Sequence, residues 1–142
     1  MPHVTDPTRR WARVGFALML VAASADFGLS AADAAGFPPA LTALSAARHA
    51  LAQGFLLPVV VVMAARMLPG YSGSMLPRPQ LLAALVWTLF VGAALRFAGE
   101  FLGGYSPGWG ALVALGGTLG VVSFSVFAVG LWRATGRAPA RN

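Results

Sequence analysis

The sequence contains no cysteine, no lysine and few charged residues of any kind. The lack of cysteine excludes disulfides, thiolate metal sites and iron–sulfur clusters. Only 10% of the residues are charged, whereas a water-soluble domain carries about 25%. A chain with so few charges would not cover a water-exposed surface. The 58% share of hydrophobic residues and the mean hydropathy of +0.74 suit a lipid bilayer instead.

The charges that are present are strongly unbalanced. The net charge is +6, the isoelectric point is near 11.6, and all ten basic residues are Arg. A nucleic-acid-binding protein gathers basic residues on a groove or stripe surrounded by polar surface. Here most Arg residues lie just outside apolar runs, where they set membrane orientation and meet lipid phosphates. The sequence therefore predicts a lipid bilayer as partner and no nucleic acid.

Four apolar runs of nearly spanning length follow one another along the chain. Turn-rich segments separate the later runs, and Trp109 and Trp132 bracket the last, as in the aromatic belts of spanning helices. Pro58 interrupts the second run and predicts a kink there. We expect an all-α integral membrane bundle, a single transmembrane domain over 1–142, with spans at approximately 11–32, 43–67, 81–99 and 109–132.

The loop charges predict an orientation for these spans. Only Arg48 and Arg96 lie on one side, whereas the other side has Arg9, Arg10, Arg13, Arg66, Arg78, Arg133, Arg137 and Arg141. The positive-inside rule then places both termini in the cytoplasm. An alternative is that the first run is a cleaved signal peptide, because it has a basic start and small residues at 31–35.

Charged residues interrupt the apolar runs near the predicted outer face. Counting about 1.5 Å per residue from the cytoplasmic ends places Asp26, Arg48, His49 and Arg96 at similar depth, with Glu100 just beyond. Intramembrane charges usually face the bundle interior and pair with one another. We expect Asp26 to pair with Arg96 or Arg48. The cluster then forms either a structural ion-pair layer or an outward-facing polar cup that binds a ligand or a metal.

His49 is the single histidine within a span, and Gln53 lies one helical turn further on. A neutral imidazole can ligate haem iron or copper, so His49 is the candidate metal ligand, and His49 with Gln53 the candidate cofactor site. The sequence has no Ser–His–acid grouping, no phosphate-binding glycine loop and no paired His at i, i+4. No catalytic residue, and no enzymatic activity, is predicted.

Residues 48–73 resemble the NnrS family of bacterial membrane proteins, which are associated with haem, copper and tolerance of nitric oxide. The resembling segments are Arg48-His49-Ala50-Leu51-Ala52-Gln53-Gly54-Phe55 and Arg66-Met67-Leu68-Pro69-Gly70-Tyr71-Ser72-Gly73. His49, Gly54, Arg66, Gly70 and Gly73 fall on the family pattern. Tyr71 and Ser72 stand where that pattern has His and Thr. The resemblance implies haem or copper binding through His49.

Three functional hypotheses remain open from the sequence. The first is a short NnrS-like inner-membrane protein with a haem or copper site around His49, acting under nitrosative stress. The second is a non-catalytic subunit or interaction partner, either as a homo-oligomer or within a larger membrane complex. The third is a small ion or proton transporter that uses Asp26, Arg96 and Glu100.

Overall fold

The computed structural model describes residues 7–37, 39–72, 79–103 and 108–135, and these residues are almost entirely helical. Five α-helices and one π-helical segment follow each other in the chain. They are α1 (Pro7–Ala34), α2 (Leu41–Leu51), the π-helical segment (Ala52–Leu56), α3 (Leu57–Ser72), α4 (Pro79–Gly103) and α5 (Gly110–Thr135). The predicted all-α fold is confirmed.

Within the described residues, four stretches of helix are long and apolar enough to cross a membrane. They are Arg10–Ala34, Leu41–Ala65, Gln80–Gly103 and Gly110–Arg133. The second is continuous through α2, the π-helical segment and α3. Each agrees with one of the four spans predicted from the apolar runs. Large apolar side chains such as Phe27, Val121 and Trp132 are exposed on the bundle, as expected for helices that face lipid rather than water.

The first helix ends at a glycine in a left-handed conformation. Gly36 has a φ of 85°, a backbone conformation that side-chain-bearing residues rarely adopt. Its N–H donates to the carbonyl of Asp33, and the N–H of Phe37 donates to that of Ala32. This pair of bonds is a Schellman motif, which satisfies carbonyls that the end of a helix leaves without partners. The chain then turns back into α2.

The second span changes its hydrogen-bond pattern at the residues before Pro58. The N–H of Leu57 donates to the carbonyl of Ala52, five residues back, as in a π-helix. Proline provides no N–H of its own and crowds the preceding turn. The irregularity that the sequence predicted at Pro58 therefore takes the form of a wider turn within a continuous span. Such π-helical turns often occur at functional sites.

Helix α4 lies at the centre of the bundle and packs closely against α5. A Cβ built on Gly116 would lie 2.5 Å from the carbonyl oxygen of Gly92 and 2.6 Å from the backbone nitrogen of Arg96. A Cβ on Gly99 would lie 2.9 Å from the backbone nitrogen of Val113. Glycine at these positions lets the two backbones approach, as at small-residue interfaces of membrane helices. Gly116 and Gly99 are therefore positions where α4 and α5 pack against each other within the bundle.

The buried apolar core lies at one end of the bundle. It consists of Trp11, Val61, Leu85, Val86, Leu89, Phe90 and Phe127. Across the rim of this core, the guanidinium of Arg10 lies 5.4 Å from the ring centroid of Trp87, a cation–π contact between α1 and α4. Along α4, Arg96 lies about 16 Å beyond Leu85. The bundle thus has an apolar end and, towards the other end of α4, a polar region.

Candidate functional site: a polar triad beside an open cleft

Three side chains from α2 and α4 form a closed hydrogen-bonded triad: His49, Arg96 and Glu100. His49 Nδ1 lies 2.8 Å from Glu100 Oε2, and His49 Nε2 lies 3.0 Å from Arg96 Nη2. Arg96 Nε donates to Glu100 Oε1 over 2.7 Å. Each member of the triad therefore contacts both of the others.

The hydrogen-bond pattern of the triad indicates the tautomer of His49. A guanidinium can only donate, so Nε2 must accept from Arg96, and a carboxylate can only accept, so Nδ1 carries the proton that reaches Glu100. The imidazole is then neutral, and the charges of Arg96 and Glu100 balance. Ser45 Oγ, 3.1 Å from Nδ1, is a further neighbour of the ring on the preceding turn of α2.

Helix geometry brings these residues together. Arg96 and Glu100 are four residues apart on α4 and so share one face, as do Ser45 and His49 on α2. The Glu100 side chain is 9% exposed, that of Arg96 28% and that of His49 40%. The carboxylate of Glu100 is therefore the most buried group of the triad. A carboxylate buried away from water must be paired, and Arg96 and His49 are its partners. The imidazole forms the accessible side.

Gln53 does not join the triad but anchors the π-helical segment to α5. Its side-chain amide donates to the carbonyl of Gly116 over 2.9 Å, and the residue is 7% exposed. A Cβ built on Gly120 or Gly92 would lie 2.5 or 2.8 Å from Gln53 Nε2. The amide therefore occupies a gap that exists only because both positions are glycine. Its role in this structure is to hold helices together, one turn from His49.

Asp26 and Arg48 lie outside the triad. Glu100 is held by the ion pair with Arg96 and the hydrogen bond from His49. Arg48 is exposed, and Asp26 Oδ1 is buried without a hydrogen-bond partner among the described residues. The prediction that Asp26 pairs with Arg96 or Arg48 is therefore wrong. Glu100 reaches Arg96 from the same helix, whereas Asp26 would have to reach it from α1.

Two contributors to the site were not selected from the sequence. Ser45 lies one turn before His49, and that i, i+4 spacing is a usable signal for contact on a helix. The glycines that admit Gln53 come from two helices, at Gly92 and Gly120. No local pattern in the sequence indicates that a glutamine from a third helix segment fills the gap between them.

A cleft runs past the triad between α2 and α5, with α4 as its floor. Both helices pack extensively on α4, whereas direct contact between α2 and α5 is slight at most. The outer part of the cleft has a volume of about 630 Å³ and reaches Thr42 and Trp109. The inner part has a volume of about 280 Å³ and reaches Leu57 and Phe124. His49 and Arg96 line both parts, so the triad lies where they meet.

Arg96 retains unused donors in this cleft. Its Nε and Nη2 atoms are held by Glu100 and His49, but no hydrogen bond within the described residues involves Nη1. A Cβ built on Gly117 would lie 3.9 Å from Nη1, an ordinary van der Waals distance, so this nitrogen lies beside the face of α5 that carries Gly117. A further groove of about 430 Å³ on that side is also lined by Arg96 and Gly117. The guanidinium thus presents two N–H donors to a cavity.

The arrangement around His49 does not fit a haem or copper ligand. Metal binding needs a free ring nitrogen, but one ring nitrogen accepts from Arg96 and the other donates to Glu100. A metal at Nε2 would displace the Arg96 guanidinium and face its positive charge. Within the part of the chain that the structure describes, no group of three His, Cys, Asp or Glu side chains could hold a metal ion. Haem or copper binding stays a prediction from the resemblance alone.

Comparison with known proteins found no similar protein. No protein-family model, no curated protein and no solved structure matches the chain. The site must therefore be interpreted from its own geometry.

Proposed function

We propose that this chain is a multi-pass membrane protein that binds an anion at Arg96, in the cleft between α2 and α5. The observation that carries the proposal is that the three nitrogens of the Arg96 guanidinium have different surroundings. Glu100 and His49 hold two of its nitrogens, whereas Nη1 faces the cleft without an acceptor in the described residues. The Arg96 side chain is 28% exposed, so its Nη1 is accessible from the cleft. An anion there would accept charge-assisted hydrogen bonds from Nη1.

The triad supports this role by orienting Arg96. An arginine side chain has many rotamers, and fixing it before a ligand arrives lowers the entropic cost of binding. Glu100 holds Nε, and neutral His49 accepts from Nη2, so the plane of the guanidinium is set from two sides. His49 is then a positioning residue rather than a metal ligand. The transporter hypothesis drawn from the sequence used Asp26, Arg96 and Glu100, and the proposed site keeps Arg96 and Glu100 but not Asp26.

Anion binding should depend on Arg96 and should not depend on Arg48, an exposed arginine on α2. We expect acetate, nitrate and phosphate to bind protein purified in a neutral detergent. Titration calorimetry at constant ionic strength should show binding about 10- to 100-fold weaker in Arg96→Gln, since a charge-assisted hydrogen bond contributes about 1.5–3 kcal/mol. Arg48→Gln is the matched control and should bind as the wild type does.

A second variant keeps this test informative if Arg96→Gln fails to fold. The double variant Arg96→Gln, Glu100→Gln removes both charges together and leaves no stranded carboxylate. It should fold and lose anion binding. If the wild type binds none of the three anions better than the double variant does, the triad is a structural ion-pair layer. That outcome would favour the alternative of a non-catalytic subunit or homo-oligomer. An absorption spectrum and metal analysis of the same preparation would test the haem and copper hypothesis.

The orientation of the bundle is part of the same proposal. With both termini in the cytoplasm of a bacterium and the bundle in the inner membrane, the outer part of the cleft opens to the periplasmic side. Support comes from the Arg distribution in the sequence. The kinship with NnrS proteins is likewise a proposal, and it rests on residues 48–73. Gly73 of that segment lies outside the described residues.

Reporter fusions test the orientation directly. Fusions at the C-terminus and at residue 75, which lies outside the described residues, should both report cytoplasm. A fusion in the segment 33–42, which contains the connection between α1 and α2, should report the periplasm. The expectation follows from the excess of Arg at the ends and at the α3–α4 connection. A periplasmic signal from residue 75 would overturn this orientation and would suit a cleaved first segment.

A further inference from the structure

We propose that the anion bound at Arg96 is the head group of an amphiphile whose hydrocarbon chain lies in the inner part of the cleft. This inference rests on the proposed function and names the class of its ligand. The head group would be a carboxylate or a phosphate, both of which accept hydrogen bonds from a guanidinium. The chain would run from the triad towards the middle of the bundle.

The lining of the inner cleft supports an apolar chain beyond the head group. Past His49 and Arg96 the walls are mostly apolar or small, and they include Ala52, Leu57, Gly117, Gly120, Val121 and Phe124. Val121 is 68% exposed and Phe124 39% exposed, so this surface is open to a ligand. Phe124 lies about 10 Å further along α5 than Gly117, which faces Arg96. The cleft thus has the charged Arg96 at one point and an apolar surface next to it, further along α5.

The open side of the cleft provides a route for such a ligand. Because α2 and α5 pack on α4 rather than on each other, the cleft opens laterally at the level of α2, whereas α3 contacts α5 beyond it. An amphiphile in the bilayer reaches the site without taking its chain through water. The hydroxyl of Thr118, on the same side of α5, donates to the carbonyl of Ala114 and is therefore not free to donate to the head group. Thr42 and Ser125 also line the cleft with hydroxyl groups, and Arg96 is the cationic donor for the head group.

The test compares an anion with and without its chain. Decanoate, acetate and decanol would be titrated into protein in neutral-detergent micelles, with free ligand fixed by dialysis against protein-free micelles. We expect decanoate to bind at least about 10-fold more tightly than acetate, since each buried methylene contributes on the order of four-fold. Decanol, which lacks the charge, should bind at least about 10-fold more weakly than decanoate.

Gly117→Leu places a side chain in the cleft opposite Nη1, which is the nearest atom to its Cβ at 3.9 Å. It should abolish decanoate binding, and a thermal midpoint equal to that of the wild type would show that the bundle still folds. Val126→Phe, at an exposed position on the opposite face of the same helix, is the control and should leave decanoate binding unchanged. Nanodiscs with and without phosphatidylglycerol identify the source of the ligand. Competition by this lipid assigns the site to a bilayer lipid, and undiminished decanoate binding assigns it to a free amphiphile.

The possible failures of the two proposals are distinguishable. If acetate and decanoate bind equally and both need Arg96, the anion site stands and the inference about the chain is overturned. If decanoate binds the Arg96→Gln, Glu100→Gln variant as tightly as the wild type, its binding is apolar partition and the inference about the chain is overturned. If acetate, nitrate and phosphate also bind both proteins equally, the anion site is overturned as well. If Gly117→Leu binds decanoate normally, the chain does not lie in this cleft.

Discussion

Gly116→Ala should prevent α4 and α5 from packing as they do in the wild type, the largest effect we expect from a single methyl group in this chain. The added Cβ would lie 2.5 Å from the carbonyl oxygen of Gly92 and 2.6 Å from the backbone nitrogen of Arg96. Both are backbone atoms of α4, which cannot rotate away as a side-chain tip can. The helices would have to separate, and the bond from Gln53 to the Gly116 carbonyl would be strained as well.

We expect Gly116→Ala to cost at least the upper end of the about 1–3 kcal/mol typical of overpacking. The measurement is the fraction of monodisperse protein after detergent extraction, together with its thermal midpoint. Gly117→Ala is the control, because it adds the same methyl group one residue further along, where the nearest atom is 3.9 Å away. It should behave as the wild type. Equal stability of the two variants would contradict the close α4–α5 contact.

The number and approximate limits of the spans follow from composition and apolar runs. The run beginning near residue 81 predicts a span, and the structure has Gln80–Gly103. This works because a membrane requires about 20 apolar residues per crossing and satisfies backbone groups only within helices. The form of the second span was less predictable. Pro58 indicates an irregularity, but a kink and a π-helical turn both accommodate a missing N–H.

The sequence predicted how deep the site residues lie in the bundle but not which of them pair with each other. Counting helical rise placed His49 and Arg96 at one level, and the structure brings them into contact at 3.0 Å. Counting gives a position along each helix axis but not the direction that each face takes in the bundle. Asp26 has similar depth to Arg96, yet it lies on α1 and does not reach it. Glu100 shares a helix face with Arg96, a relation that i, i+4 spacing does indicate.

The second large effect that we expect is the loss of stability when Glu100, which contacts both other members of the triad, is replaced. Glu100→Leu removes the carboxylate that pairs with Arg96 and accepts from His49, and leaves the guanidinium without its counter-ion in an apolar bundle. Removing one partner of a buried ion pair costs about 3–5 kcal/mol. Because the Arg96 side chain is 28% exposed, we expect a loss near the lower end of that range.

A double-variant cycle separates this pairing from a general intolerance of substitution. Arg96→Leu with Glu100→Leu removes both charges and should be more stable than Glu100→Leu alone, since no stranded charge remains. Asp26→Leu combined with Arg96→Leu is the comparison cycle, and its effects should add within about 0.5 kcal/mol because the two do not interact. Thermal midpoints of the purified variants provide the measurement. Additivity in the Arg96–Glu100 cycle, or strong coupling in the Asp26–Arg96 cycle, would contradict the arrangement of the triad. The first result would also remove the argument that Glu100 orients Arg96 for an anion.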